Sequence, residues 1–118
     1  MRDHRKLRVF EKADALWVRV YEATAEVPKH EWYGGIRSQI RRAALSVPTN
    51  IVEGCRREST AEYRRFMNIA EGSAAEVCFL LSACKRLNYV EQDAAGELQV
   101  EYDGLAAGLR SLCKNVGR

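Results

Sequence analysis

Ile36-Arg37-Ser38-Gln39-Ile40-Arg41-Arg42-Ala43-Ala44-Leu45-Ser46-Val47-Pro48-Thr49-Asn50-Ile51-Val52-Glu53-Gly54-Cys55-Arg56-Arg57 carries an apolar stripe at Ile36, Ile40, Ala43/Ala44, Val47 and Ile51. Recurrence at three and four is helix spacing. A proline stands inside the run, and proline removes a backbone donor and clashes with the preceding turn. The run is therefore either two helices or one bent helix. The stripe stays in phase on both sides of Pro48, which favours one helix kinked there.

The same period extends on both sides. Upstream, Phe10, Ala13, Trp17, Val20 and Thr24, flanked by Val9, Leu16 and Tyr21, predict a helix from about Lys6 to Glu26, stopped by Val27-Pro28. Residues 28–35 connect it to the second helix and close on Gly34-Gly35. Downstream, Ser59-Thr60-Ala61-Glu62 is a capping box: Ser59 can cap the backbone while Glu62 reaches back. It opens a third helix to about Leu87, with Phe66, Ile69/Ala70, Ser73, Val77, Leu80/Leu81, Cys84 and Leu87 on one face. Asn88 can take the left-handed conformation that ends a helix. From about Gln92, Leu98, Tyr102, Leu105, Leu109, Leu112 and Val116 follow a 4-3-4-3-4 spacing, a heptad seam suited to shallow packing. Four helices of ~30–38 Å with short connections predict an all-α, antiparallel up-down-up-down four-helix bundle. The expected organisation is a single domain over residues 1–118.

Composition agrees with that size and class. The chain has 118 residues, 47% hydrophobic and 30% charged, which reads as globular and not disordered. No apolar run approaches the ~20 residues of a bilayer span. The start, Met1-Arg2-Asp3-His4-Arg5-Lys6, leads into no apolar signal segment. A cytoplasmic protein with no membrane partner is expected. Its four cysteines, Cys55, Cys78, Cys84 and Cys113, form no C-x-x-C pair and should be reduced thiols, with Cys84 a small core residue. No metal site and no cofactor are expected.

Charge is uneven. The net value is +3, but residues 1–65 hold +5 and residues 66–118 hold −2. Arginine supplies most of the excess, in the pairs Arg41-Arg42, Arg56-Arg57 and Arg64-Arg65. Arginine's planar fork matches phosphate oxygens, although a solvated helix face can look the same.

Catalytic inventory is thin. His4 and His30 are the only histidines. There is no H-E-x-x-H, no Glu-x-x-His pair, no G-x-S-x-G and no glycine-rich phosphate loop. Glu53 and Glu76 are the best carboxylate pair, and helix-face ion pairing accounts for them more simply. No enzyme activity is expected.

On a helical wheel, Arg37 and Arg41 border the apolar face of the second helix. Gln39, Arg42, Ser46, Asn50 and Glu53 form a separate polar stripe. Ser and Asn are weak in helix interiors and seek other partners. Two readings are open: a groove or subunit contact, and a hydrogen-bonded network supporting Pro48. Gly72 suggests close approach of a neighbouring helix, and Glu76, one turn on, could pair with Arg42. These are read as assembly features. Trp17 and Phe10 are expected in the core. Trp32 and Tyr33 either cover the bundle end or stack a base.

Residues 38–54, quoted above, resemble the signature of the 23S ribosomal RNA intervening-sequence protein family. Glu62-Tyr63-Arg64-Arg65-Phe66-Met67-Asn68-Ile69-Ala70-Glu71-Gly72-Ser73-Ala74-Ala75-Glu76 resembles a second family block, Leu87-Asn88-Tyr89-Val90 a third, and Leu7-Arg8-Val9-Phe10-Glu11-Lys12-Ala13 the opening. Asn88 stands where the family usually has Gly, and Phe10 where Trp is common. The loop at Tyr33-Gly34-Gly35-Ile36 is one residue longer than usual. The resemblance covers roughly residues 7–90. It implies a small bacterial left-handed four-helix bundle assembled as a homopentamer. A related bundle accompanies the reverse transcriptase of diversity-generating retroelements and binds nucleic acid.

The expected function is therefore a non-catalytic, oligomeric nucleic-acid-binding or ribonucleoprotein accessory protein. Arg37, Arg41, Arg42, Arg56, Arg57, Arg64 and Arg65 would contact RNA or DNA phosphates. The alternative is an interaction scaffold for a partner such as a reverse transcriptase or a ribosomal component, without nucleic-acid affinity of its own.

Overall fold

The computed structural model describes residues 1–116. They form α1 (Arg8–Ala23), α2 (Ile36–Cys55), α3 (Thr60–Arg86) and α4 (Gln92–Asn115), with 3-10 turns at His4–Lys6 and Lys29–Glu31. The described residues contain no strand.

α1 is shorter than its periodicity suggested. Leu7 is extended just before it, and the Asp3 carboxylate caps the separate turn His4–Lys6. At the other end Thr24 leaves helical geometry and folds its hydroxyl back on the Val20 carbonyl at 2.8 Å. The α1 residues that reach the core are Ala13, Leu16 and Val20. Phe10 and Trp17 were expected there but are only half-buried against it. Trp17 keeps its indole N–H on Asp14 at 3.0 Å, which holds the ring at the wet edge.

α2 runs unbroken through Pro48, whose ring is buried. The Thr49 hydroxyl donates to the Leu45 carbonyl and the Asn50 amide to the Ser46 carbonyl, both at 2.8 Å. The helix stops at Cys55, two residues earlier than expected. Gly54 is where α3 comes closest. A Cβ there would lie 2.6 Å from Met67 Cε and 2.9 Å from Phe66 Cβ.

The Ser59 hydroxyl accepts from the Glu62 N–H at 3.0 Å and starts α3. Glu62 does not reach back. Its carboxylate takes Arg65 at 2.9 Å, so half of the expected box is replaced by an ion pair one turn on. The buried stripe also differs from expectation. It is Tyr63, Met67, Ala70, Ala74, Val77, Leu81 and Cys84, with Leu80 beside it. Phe66 and Ser73 flank this stripe, and Ile69 and Leu87 are 39% and 51% exposed. α3 thus carries a 4-3-4-3-4-3 seam of its own. It faces the Leu98, Tyr102, Leu105 and Leu109 seam of α4.

Asn88 takes φ 58°. The Tyr89 N–H donates to the Cys84 carbonyl at 2.9 Å and the Asn88 N–H to Lys85 at 3.1 Å. Those are the two bonds of a Schellman ending, and they satisfy carbonyls that would otherwise be orphaned. Glu91 then caps α4 through the Ala94 N–H.

α1 packs on α2 and α4, and α3 on α2 and α4; the backbones of the diagonal pairs stay farther apart. Arg41 near the start of α2 reaches Tyr21 near the end of α1. Gly54 meets Met67, and Ser46 meets Ser73 across α2 and α3. Gln92 reaches Lys85, Arg110 reaches Glu71, and Lys12 reaches Glu101. Each neighbouring pair is therefore antiparallel, and the buried residues form one cluster. Each fully buried Leu, Ile, Val or Met contributes about 1.5–3 kcal/mol.

Candidate nucleic-acid interface

α1 ends and α2 begins at the same end of the bundle, and the 24–35 connection lies between them. Arg41 crosses from α2 to α1. Its Nη2 donates to the Tyr21 carbonyl at 2.9 Å and its Nε to Thr24 Oγ1 at 3.0 Å. Its guanidinium lies 4.3 Å from the Tyr21 ring centroid. A cation thus sits on a carbonyl of the last turn of α1, where the helix dipole favours it. Burial, and then the like charge of Arg37, hold Arg41 below the usual arginine pKa.

Arg37, one turn earlier, stacks on Trp32 at 4.2 Å, and its Nε is buried with no hydrogen-bond partner among the described residues. The Trp32 indole N–H donates to the Val27 carbonyl at 2.8 Å, so the ring is fixed against the bundle end. Tyr33 follows it and is 93% exposed. Gly34 supplies the left-handed turn at φ 72°. Gly35 lies so close to Glu31 that a Cβ would fall 2.5 Å from its carbonyl oxygen.

These groups surround an open groove of about 670 Å³. Tyr21, Trp32 and Tyr33 supply aromatic surface, Arg37, Arg41 and Arg42 supply charge, and Ser38 and Leu45 complete the lining. No carboxylate lines it among the described residues. Arg42 is exposed and has no ion pair there.

The other four expected phosphate contacts lie elsewhere. Arg56 lies with Arg2, His4 and Arg5 along a shallow hollow at the far end of α2, about 28 Å from Arg37 along the helix. Arg57 pairs with Glu53 at 3.1 Å and Arg65 with Glu62 at 2.9 Å, and both lie over Phe66. Arg64 donates to the Cys113 and Val116 carbonyls at the end of α4, at 3.3 and 2.8 Å. Arg57, Arg64 and Arg65 are already engaged within the chain.

The polar stripe of α2 divides in the same way. The Asn50 amide donates to Ser46 Oγ at 2.9 Å, and Ser46 Oγ shares a 2.8 Å hydrogen bond with Ser73 Oγ of α3. Glu53 belongs to Arg57, and Gln39 is exposed. Two contacts expected of α3 are not formed within the single chain. A Cβ on Gly72 would meet nothing within 4 Å, so no neighbouring helix approaches there; the close glycine is Gly54. Glu76 is exposed and no ion pair joins it to Arg42. Glu53 and Glu76 lie on opposite sides of the Ser46–Ser73 level, about 15 Å apart along the bundle, too far to share a proton. No group of three or more His, Cys, Asp or Glu among the described residues can hold a metal. All four cysteines are free thiols.

Sequence reasoning flagged Arg37 with Arg41, and Trp32 with Tyr33, as two separate pairs. It missed Tyr21 as their companion. Only the α1–α2 pairing brings residues 21, 32 and 41 together.

The fold and the groove define an all-α bundle whose cationic, aromatic-edged end is the prominent chemical feature. The chain belongs to the 23S rRNA-intervening sequence protein family, whose match spans residues 5–111. A similar solved structure is a crystal structure of a protein with unknown function from the S23 ribosomal protein family of Bacteroides thetaiotaomicron VPI-5482. It is 22% identical, with a TM-score of 0.82 over 91% of this chain and 96% of that one, a likeness of fold. No curated protein matches the sequence. No helix among the described residues is long and apolar enough to cross a membrane.

Proposed function

We propose that the chain is a non-catalytic nucleic-acid-binding protein, an oligomeric accessory of a ribonucleoprotein in the bacterial cytoplasm. One observation carries this reading: Arg37, Arg41 and Arg42 share a groove without a carboxylate. Arg57, Arg65 and Arg110, by contrast, are paired with Glu53, Glu62 and Glu71. Uncompensated guanidinium groups set beside aromatic rings suit a ligand that offers phosphates and planar bases. The family's name, which refers to 23S rRNA, points the same way. Assembly would strengthen the attraction, since +3 per chain becomes +15 in a homopentamer.

The test is fluorescence anisotropy of labelled RNA and DNA from low to physiological salt, with oligomeric state measured on the same sample. Binding that weakens steeply with salt, and weakens further in Arg42→Gln, supports the proposal. An intact protein that binds neither nucleic acid at low salt refutes it. The second reading, a scaffold for a partner such as a reverse transcriptase, is favoured by Phe79 and Val100, apolar residues 69% and 70% exposed. It gains if nucleic-acid binding is absent.

A further inference from the structure

We infer that the groove takes single-stranded nucleic acid, with one unpaired base stacked on Tyr33 and flanking phosphates on Arg37 and Arg42. This inference rests on the nucleic-acid reading above and narrows it. Trp32 and Tyr21 each already hold a guanidinium, from Arg37 and Arg41. Tyr33 has no ring or cation partner among the described residues, and it is 93% exposed beside the left-handed Gly34. A planar ring left in water at the mouth of a cationic groove is a platform for another planar group. In a duplex the base faces are already stacked on each other, so a duplex offers this site only phosphates. A single strand offers phosphate and base face together, as in other aromatic single-strand platforms.

Geometry argues the same way. Arg37 is half-buried against Trp32, inside a hollow of about 670 Å³. That is the size of a small-molecule site, and it admits a nucleotide unit more readily than the side of a rod. The cations are gathered at one point and not strung out in a line. Arg56, at the other end of α2, lies about 28 Å away along the helix.

The experiment uses the full chain and four labelled probes: one RNA strand, its DNA counterpart, the RNA duplex, and the RNA strand with abasic sites. Both single strands are expected to bind more tightly than the duplex and the abasic strand. Tyr33→Ala should weaken single-strand binding roughly 5- to 150-fold, the range of one base–aromatic stack. Tyr33→Phe, which keeps the ring, should restore it. The salt slope should not change in Tyr33→Ala, but should fall by about 0.7 in Arg42→Gln, the share of one phosphate contact. Equal binding of strand and duplex, or single-strand affinity unaltered in Tyr33→Ala, overturns this inference and leaves the nucleic-acid reading standing. Failure of all four probes to bind at low salt overturns both.

Discussion

Gly54 and Gly72 offer the same chemical change in opposite surroundings. Each lies inside a helix, where Ala is favoured over Gly by about 1 kcal/mol. At Gly72 an added methyl meets nothing within 4 Å, so Gly72→Ala should keep the whole gain, raising the melting temperature by about 4 °C for a chain of this length. At Gly54 the methyl meets Met67 Cε at 2.6 Å, Phe66 Cβ at 2.9 Å and the Tyr63 carbonyl at 3.3 Å. Met67 can swing aside. Phe66 Cβ and the Tyr63 backbone can move only if α3 moves. Such overpacking costs about 1–3 kcal/mol, which offsets or exceeds the propensity gain. Gly54→Ala should therefore be less stable than Gly72→Ala by about 1–3 kcal/mol. Urea unfolding of both variants and the parent, at one protein concentration, measures the difference. Equal shifts in the two variants, or a loss at Gly72, would refute the packing argument.

Met67→Ala should cost about 2–5 kcal/mol and Ile69→Ala no more than about 0.5, as read by urea unfolding, because only Met67 lies in the buried stripe of α3. Arg41→Gln should lower stability by about 1–3 kcal/mol in the same assay by removing the charged donor of the Tyr21 carbonyl, which keeps only a longer bond from the Thr24 hydroxyl; Arg41→Lys, a point donor, should recover only part of that loss. Burial raises the pKa of Cys55, Cys84, Cys113, Tyr63 and Tyr102, and burial with an Asp103 hydrogen bond pushes Cys78 up to about 11. For Cys78 the upward shift means that the stability it confers is complete below the ordinary thiol value of 9.0 and drains away as pH rises through about 11. Melting curves between pH 8 and 11 should show that decline, and a flat profile would contradict it.

The helix count was legible because Pro48 leaves the stripe of α2 in phase. The start of α3 at Ser59 and its stop at Asn88 were legible because caps are local chemistry. The face of α3 was partly misread because Tyr63 and Ala74 look less apolar than Phe66 and Ile69, yet only the former lie on the seam. A glycine within a helix announces a cost, not which neighbour exploits it, so Gly72 was credited with the role that Gly54 performs. Charge had the same limit. Arg64 ends on backbone carbonyls 49 and 52 residues away, and carbonyls have no signature in sequence. The groove was half visible, as two pairs of residues whose meeting depends on tertiary packing.

The light attachment of α1 has a consequence for exchange behaviour. α3 is sewn to both α2 and α4 along its length, whereas α1 packs less heavily on each of its neighbours. Amide protons of α1 should therefore open to deuterium through a partial detachment well below the cost of global unfolding. The Arg41 clasp on Tyr21 is one of the few ties across that seam, and it forms a wall of the groove. A ligand seated in the groove would act as a staple. It would slow exchange throughout α1, including turns that it never touches.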